Sequence, residues 1–377
     1  MTTADAAVLE PGALDALIEA LAGRGLRVVG PTVRDGAIVL DELASAADLP
    51  TGVGDVQEPG GYRLFERGDG AFFGYAASPH SPKQFLFPAS TRLFRARRNG
   101  GAAVEFEEPD APERPLALFV RPCELHAIAV QDRVFLHGQH VDRDYASRRR
   151  DAFLVVVECG SPASTCFCTS LGTGPEAEGG YDLALTEVVD GEHRFLARAG
   201  SERGAEVLAA LPQRPAADAD RAAAAEVTAG ARDSISRRLD TGDLRGLLER
   251  SRESPRWDEV AARCLTCANC TLVCPTCFCS SAEDVTSLDG TESERVRRWD
   301  TCFSIDHSYI HGGAIRPSSR ARYRQWLTHK FGTWNDQFGV SGCVGCGRCI
   351  AWCPVGIDVT EELAALRAAE EVPDADH

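Results

Sequence analysis

The sequence of 377 residues lacks the signatures of a nucleotide enzyme, a nucleic-acid binder and a membrane protein. No Gly-x-Gly-x-x-Gly follows a strand: Gly172-Thr-Gly174-Pro175 misses the third glycine, and Gly68-Asp-Gly70 reaches Gly74 at the wrong spacing. With no P-loop either, a nicotinamide, flavin or phosphate site of those kinds is not expected. No nucleophile stands in a pattern with a base and its orienting group, which argues against hydrolysis. Basic residues number 40 against 56 acidic ones, for a net charge of −16, and no long block carries one sign. That excludes an electrostatic footprint for nucleic acid and points to a protein partner. Apolar runs such as Phe153 to Val157 are far too short to span a bilayer. Met1 to Ala20 carries Asp5, Glu10, Asp15 and Glu19 with no basic region before an apolar stretch, so no secretory signal is expected.

Cysteine is what the chain has in quantity. Of its 15 cysteines, ten fall in residues 264–279 and 343–353 at metal-ligand spacing, which reads as reduced thiolates in a cytoplasmic protein. Two runs stand out: Cys264-Leu-Thr-Cys267-Ala-Asn-Cys270-Thr-Leu-Val-Cys274-Pro275 and Cys343-Val-Gly-Cys346-Gly-Arg-Cys349-Ile-Ala-Trp-Cys353-Pro354. Each is the Cys-x2-Cys-x2-Cys-x3-Cys-Pro pattern of two-cluster ferredoxins, in which the fourth cysteine ligates the other cubane. Zinc accounts for them poorly, because it needs neither a third Cys-x2 step nor the proline. The pattern assigns Cys264, Cys267, Cys270 and Cys353 to one [4Fe–4S] cluster and Cys343, Cys346, Cys349 and Cys274 to a second. Four thiolates each leave no open position for substrate, so this region reads as an electron relay with no catalytic residue.

Upstream, periodicity predicts a helix over residues 12–22 (Leu14, Leu17, Ile18, Leu21), strands at Arg27–Val29 and 36–40, and strand-like pieces at Gly61–Phe65 and Ala71–Tyr75. Leu116–Val120, then helical spacing through Phe135, then Phe153–Val157 predict a right-handed βαβ unit. Its strands point the same way, so Cys123 and Cys159 fall at one sheet edge, where open α/β sheets bind ligands. With Cys166 and Cys168 in the glycine-rich loop that follows, they could form a third site for a cluster or a zinc ion, or remain buried thiols. Cys277, Cys279 and Cys302 recur in Thr-Cys-Phe repeats and read as core thiols around the clusters or as further ligands.

The expected architecture is an N-terminal mixed α/β domain (1–213) with the βαβ unit, a helical linker (214–254) and a C-terminal two-cluster ferredoxin-like α-helical domain (255–377), interrupted by an insertion at 275–342. Arg316, Arg320, Arg322, Arg324, His329 and Lys330 make that insertion locally basic, either as a solvated face, as donors near the clusters, or as a dock for an acidic partner.

These motifs together resemble the iron–sulfur β subunit of cytoplasmic NAD(P)-linked nickel–iron hydrogenases, the sulfhydrogenases. They are also similar to the iron–sulfur chain of anaerobic sulfite reductases that shares this architecture. The resemblance is carried by Arg121-Pro-Cys-Glu-Leu-His-Ala-Ile128, Cys159 to Cys168, Gly179-Gly180 before Tyr181, Cys274-Pro-Thr-Cys277-Phe-Cys279, Arg298-Trp-Asp-Thr-Cys302 and Cys343 to Pro354. It implies a non-catalytic electron-transfer subunit of an oxidoreductase complex. Its partners would be the nickel–iron catalytic chain and a flavin subunit that handles NAD(P), with neither nucleic acid nor membrane involved. His311 to Pro317 matches the family least. The alternative readings are an independent ferredoxin-like carrier and the corresponding chain of an anaerobic sulfite reductase.

Overall fold

The computed structural model describes residues 6–98, 103–108 and 114–371. The outer ends of the expected domains, 1–5 and 372–377, lie outside them. Its centre is an eight-stranded mixed sheet: β1 (Ala7–Leu9), β2 (Arg27–Arg34), β3 (Ala37–Glu42), β4 (Leu116–Val120), β5 (Phe153–Val157), β6 (Leu183–Val189), β7 (His193–Ala199) and β8 (Arg214–Pro215). The spatial order is β8-β1-β7-β6-β5-β4-β2-β3. The adjacent pairs β2–β4, β4–β5 and β5–β6 are parallel, with Ala117 opposite Phe153 and Val120 opposite Val156.

β4 and β5 read as continuous apolar runs because both their faces are covered. Phe119, Val155 and Val157 face a core with Leu14, Leu17, Ile18 and Leu21 of helix α1 (Ala13–Gly23). Leu118, Val120, Leu154 and Val156 face Leu125, Ile128 and Phe135 of helix α2 (Pro122–Phe135) and Tyr145. The βαβ unit therefore forms as expected. A second helix, α3 (Arg143–Arg150), lies in the same crossover, and its arginine-rich sequence hid it from periodicity.

Three expectations change. Ala71–Tyr75 is irregular and forms no strand, because the amides of Phe72 and Phe73 donate to the two carboxylate oxygens of Glu187, at 2.7 and 2.8 Å. The stretch read as a linker is anchored to the sheet: β8 pairs with β1, and the helix Asp218–Ser234 packs Ala224 and Val227 against Val188 and Leu196. Finally, the C-terminal domain, expected to be α-helical, also carries strands in its insertion. Its hairpin, Ser280–Thr286 and Glu292–Trp299, joins Ser90–Arg98 and Val104–Glu107 in a separate four-stranded antiparallel sheet. Among the described residues no helix is long and apolar enough to cross a membrane.

Candidate metal centres

The two cysteine runs fold alike. Helix Arg256–Arg263, held by buried Trp257 and Val260, delivers Cys264 at its C-terminal end. Thr266 and Ala268 then take left-handed backbone conformations (φ +55° and +66°), and the short helix Asn269–Leu272 carries Cys270. In the second run Gly345 and Gly347 occupy the equivalent positions (φ +63° and +74°), ahead of the helical turn Arg348–Ala351. Each loop turns an amide back onto its first sulfur: Thr266 N to Cys264 Sγ at 3.4 Å, and Gly345 N to Cys343 Sγ at 3.3 Å. Only glycine adopts positive φ without steric cost, so the first run stores strain that the second avoids.

Cys264, Cys267, Cys270 and Cys353 all line one small, mainly apolar pocket, walled by Phe303, Tyr323, Trp326, Ile357 and Val359. Cys353 comes from the opposite run, and the Ile357 amide donates to its sulfur at 3.3 Å. Four thiols around an apolar hollow are a donor set that fits an iron–sulfur cubane. Burial pushes the Cys270 thiol well above its ordinary pKa.

Cys343, Cys349 and Cys274 gather beside Cys346, near enough for each charge to act on the others. Cys349 also feels Cys270, and it borders the first cavity, so the two sets adjoin. Here the surroundings are polar. The Cys274 sulfur lies 3.1 Å from Thr276 Oγ1 and 3.3 Å from Lys330 Nζ. Hydrogen bonding from Cys277, assisted by Lys330, holds Cys274 well below the ordinary thiol range. Cys277 beside it is pushed the opposite way, well above the ordinary thiol range, by its closeness to Cys274 and by burial.

Cys123, Cys159, Cys166 and Cys168 lie against this second set. Cys123 and Cys168 both feel Cys346, Cys166 and Cys168 both feel Cys159, and burial raises the Cys166 and Cys168 thiols, the latter to about 12. The loop docks through Phe167 N to Gly345 O at 2.8 Å and Thr173 Oγ1 to Val344 O at 2.6 Å. Two buried arginines flank it. Arg121 donates to the carbonyls of Phe73, Tyr75 and Glu158, while fully buried Arg348 pairs with Glu124. Cys279 and Cys302 border a separate open cavity with His307, Arg316 and His329. Among the described residues, no three His, Cys, Asp or Glu side chains converge closely enough to grip a single metal ion.

The basic stretch divides. Arg320 and Arg324 make surface ion pairs with Glu253, Arg322 is buried against the carbonyls of Phe303, Arg316 and Pro317, and Lys330 reaches Cys274. Lys83, whose ammonium lies 3.3 Å from the carbonyls of Leu272 and Cys277, has no signal in the sequence. It reaches the site only because the chain folds back over more than 180 residues.

Residues 263–357, which span all eight cysteines of the two runs, match the 4Fe-4S dicluster domain family. Over 291 residues, 76% of this chain and 82% of the relative, the sequence is 33% identical to sulfhydrogenase 2 subunit beta of Pyrococcus furiosus. An N-terminal α/β sheet, a dicluster domain and identity across most of both chains coincide, and the chain belongs to the family of sulfhydrogenase β subunits, iron–sulfur proteins with 4Fe-4S clusters.

Proposed function

We propose that this chain is the electron relay of a soluble, cytoplasmic hydrogenase, standing between the nickel–iron catalytic chain and a flavin subunit that handles NAD(P). Cys264, Cys267, Cys270 and Cys353 hold one [4Fe–4S] cluster, and Cys343, Cys346, Cys349 and Cys274 hold the other. The observation that carries this reading is the presence of Cys353 in the wall of the cavity made by the first run, because crossed ligation is how a dicluster domain brings two cubanes together. When bound, the clusters take up and release single electrons. The protein's part is to supply a closed set of thiolates, amides directed at sulfur, and mainly apolar walls around the first cavity.

Cys123, Cys159, Cys166 and Cys168 form a third four-thiolate site, with an iron–sulfur cluster favoured over zinc. Supporting it are the burial of Cys166 and Cys168, the flanking Arg121 and Arg348, and the closeness of Cys123, Cys166 and Cys168 to Cys346 of the second set.

Iron and sulfide counted on anaerobically purified protein, with zinc measured on the same sample, test both statements. At four irons per cubane, roughly twelve per chain supports three clusters and roughly eight removes the third. Zinc with little iron sinks the central reading. Cys166→Ser lowers the count only if the third site is a cluster.

A further inference from the structure

Lys83 and Lys330 are both buried, and both sit beside Cys274. Lys330 is 3% exposed, and its ammonium contacts Cys274 Sγ at 3.3 Å, Thr276 Oγ1 at 3.0 Å and the Gly342 carbonyl at 2.9 Å. Lys83 is 4% exposed and touches the Leu272 and Cys277 carbonyls, with its ammonium 3.9 Å above the Trp299 ring. Neither makes an ion pair with a carboxylate among the described residues; their polar partners are carbonyls, a hydroxyl and a thiol. Two buried ammonium groups with no carboxylate beside them call for more negative charge than the single thiolate of Cys274 supplies. A cubane with its four thiolates is anionic, and it gains a further negative charge on reduction. Around the first cavity the surroundings differ: its walls are Phe303, Tyr323, Trp326, Ile357 and Val359.

We infer that Lys330, assisted by Lys83, sets the reduction potential of the cluster that Cys274 ligates, raising it above that of the cluster in the apolar cavity so that an electron comes to rest there. This rests on the proposed assignment of Cys274 to the second cluster. In the step concerned, one electron arrives from the redox partner and is held on the cluster. No bond forms or breaks, and Lys330 keeps its proton throughout. Its positive charge favours the more negative, reduced state. The three donors of the Lys330 ammonium are taken up by Cys274 Sγ, Thr276 Oγ1 and the Gly342 carbonyl, which fixes its charge against the ligand sulfur. Lys83 reaches the Leu272 and Cys277 carbonyls but no sulfur, so its contribution is the smaller. Lys330 is a positioning and tuning residue that acts through Cys274.

The test is an anaerobic redox titration of the full chain, followed by electron paramagnetic resonance, with iron and sulfide counted on every sample. Lys330→Gln is expected to lower one reduction step and leave the others in place. Lys330→Arg, which keeps the charge, should restore that step, and Lys83→Gln should lower the same step by less. A Lys330→Gln protein with full iron and unmoved steps overturns the inference, as does one in which all steps move together or in which Lys330→Arg shifts as far as Lys330→Gln. Should Lys330→Gln fail to fold, Lys83→Gln carries the test: a lowered single step supports the idea and an unmoved one ends it. Cys274→Ala separates the two levels. If that variant keeps all its iron and every step, the ligand assignment has failed, whatever the lysines do.

Discussion

The amide of Phe167 donates to the carbonyl of Gly345 at 2.8 Å, and this bond stitches the N-terminal cysteine loop to the middle of the second cysteine run. The fit there is close. A Cβ on Gly345 would lie 2.6 Å from the Cys168 amide nitrogen, and one on Gly347 would lie 2.5 Å from the Thr165 carbonyl oxygen.

Gly345→Ala therefore meets both a backbone clash and a positive φ, costing about 2 kcal/mol or more. It is expected to lower the melting temperature and the iron content together. The reverse change at the position equivalent to Gly347, Ala268→Gly in the first run, releases a left-handed alanine and should stabilise the protein by up to about 1 kcal/mol. A melting curve on each variant checks the pair, and destabilisation by Ala268→Gly would contradict the strain described here.

Arg348 and Glu124 form an ion pair between the second cysteine run and helix α2, with both side chains almost wholly buried. Arg348→Met leaves the Glu124 carboxylate without its charge partner and should cost roughly 3–5 kcal/mol. Replacing both, as Arg348→Met with Glu124→Leu, removes the orphaned charge, so the double variant is expected to be more stable than the single one. Chemical denaturation of the three proteins decides this, and equal losses would show that the pair matters only for packing.

Asp220 links the edge of the main sheet to the helix behind it. Its carboxylate takes Arg214 at 2.6 and 2.9 Å, Arg194 at 3.2 Å and the Ala217 amide at 2.9 Å. Arg214 first, then the Ala217 amide, depress its pKa. A carboxyl with a folded-state pKa below the unfolded value of about 3.9 stabilises fully above that value and loses the contribution as pH falls through the folded one. Protection of the Ala216 amide, which donates to the Ala6 carbonyl, taken relative to its intrinsic exchange rate at each pH, should therefore fall on acidification below about pH 4. Asp220→Asn should show faster exchange already at neutral pH, by about 1 kcal/mol, and little further change in acid. Identical pH profiles for the two proteins would falsify the linkage.

Stripping the iron should loosen the molecule unevenly. Cluster binding and local folding share one free energy where thiolates must otherwise stand unpaired. Residues 264–274 and 343–353 are expected to lose amide protection in metal-free protein, whereas β4 and β5, whose side chains pack on carbon alone, retain it. Uniform loss over both regions would mean that the sheet depends on the clusters as well.

Much of the site was legible because its grammar is local. Cysteines at three-residue intervals, followed by proline, announce cubane ligation wherever they occur, and the apolar runs at Leu116–Val120 and Phe153–Val157 announce buried parallel strands. Less could be read where distant groups replace regular hydrogen bonding. Phe72 and Phe73 look like strand residues, but their amides are claimed by Glu187, more than 110 residues away. The stretch from Arg214 looks like a linker because proline and alanine there suggest little packing, yet it closes the sheet edge through Asp220.

By itself, then, the sequence determined which thiols form the two runs, the turn chemistry of each loop, and the sheet edge to which Cys123 and Cys159 belong, since each depends on spacing along the chain. Only the tertiary structure decided which apolar side chains wall the cavity of the first run, that the loop at Cys166 and Cys168 packs on Gly345, and that Lys83 and Lys330 converge on Cys274. Those neighbours are set by how buried surfaces and charges find partners across the fold, a choice that no local pattern encodes.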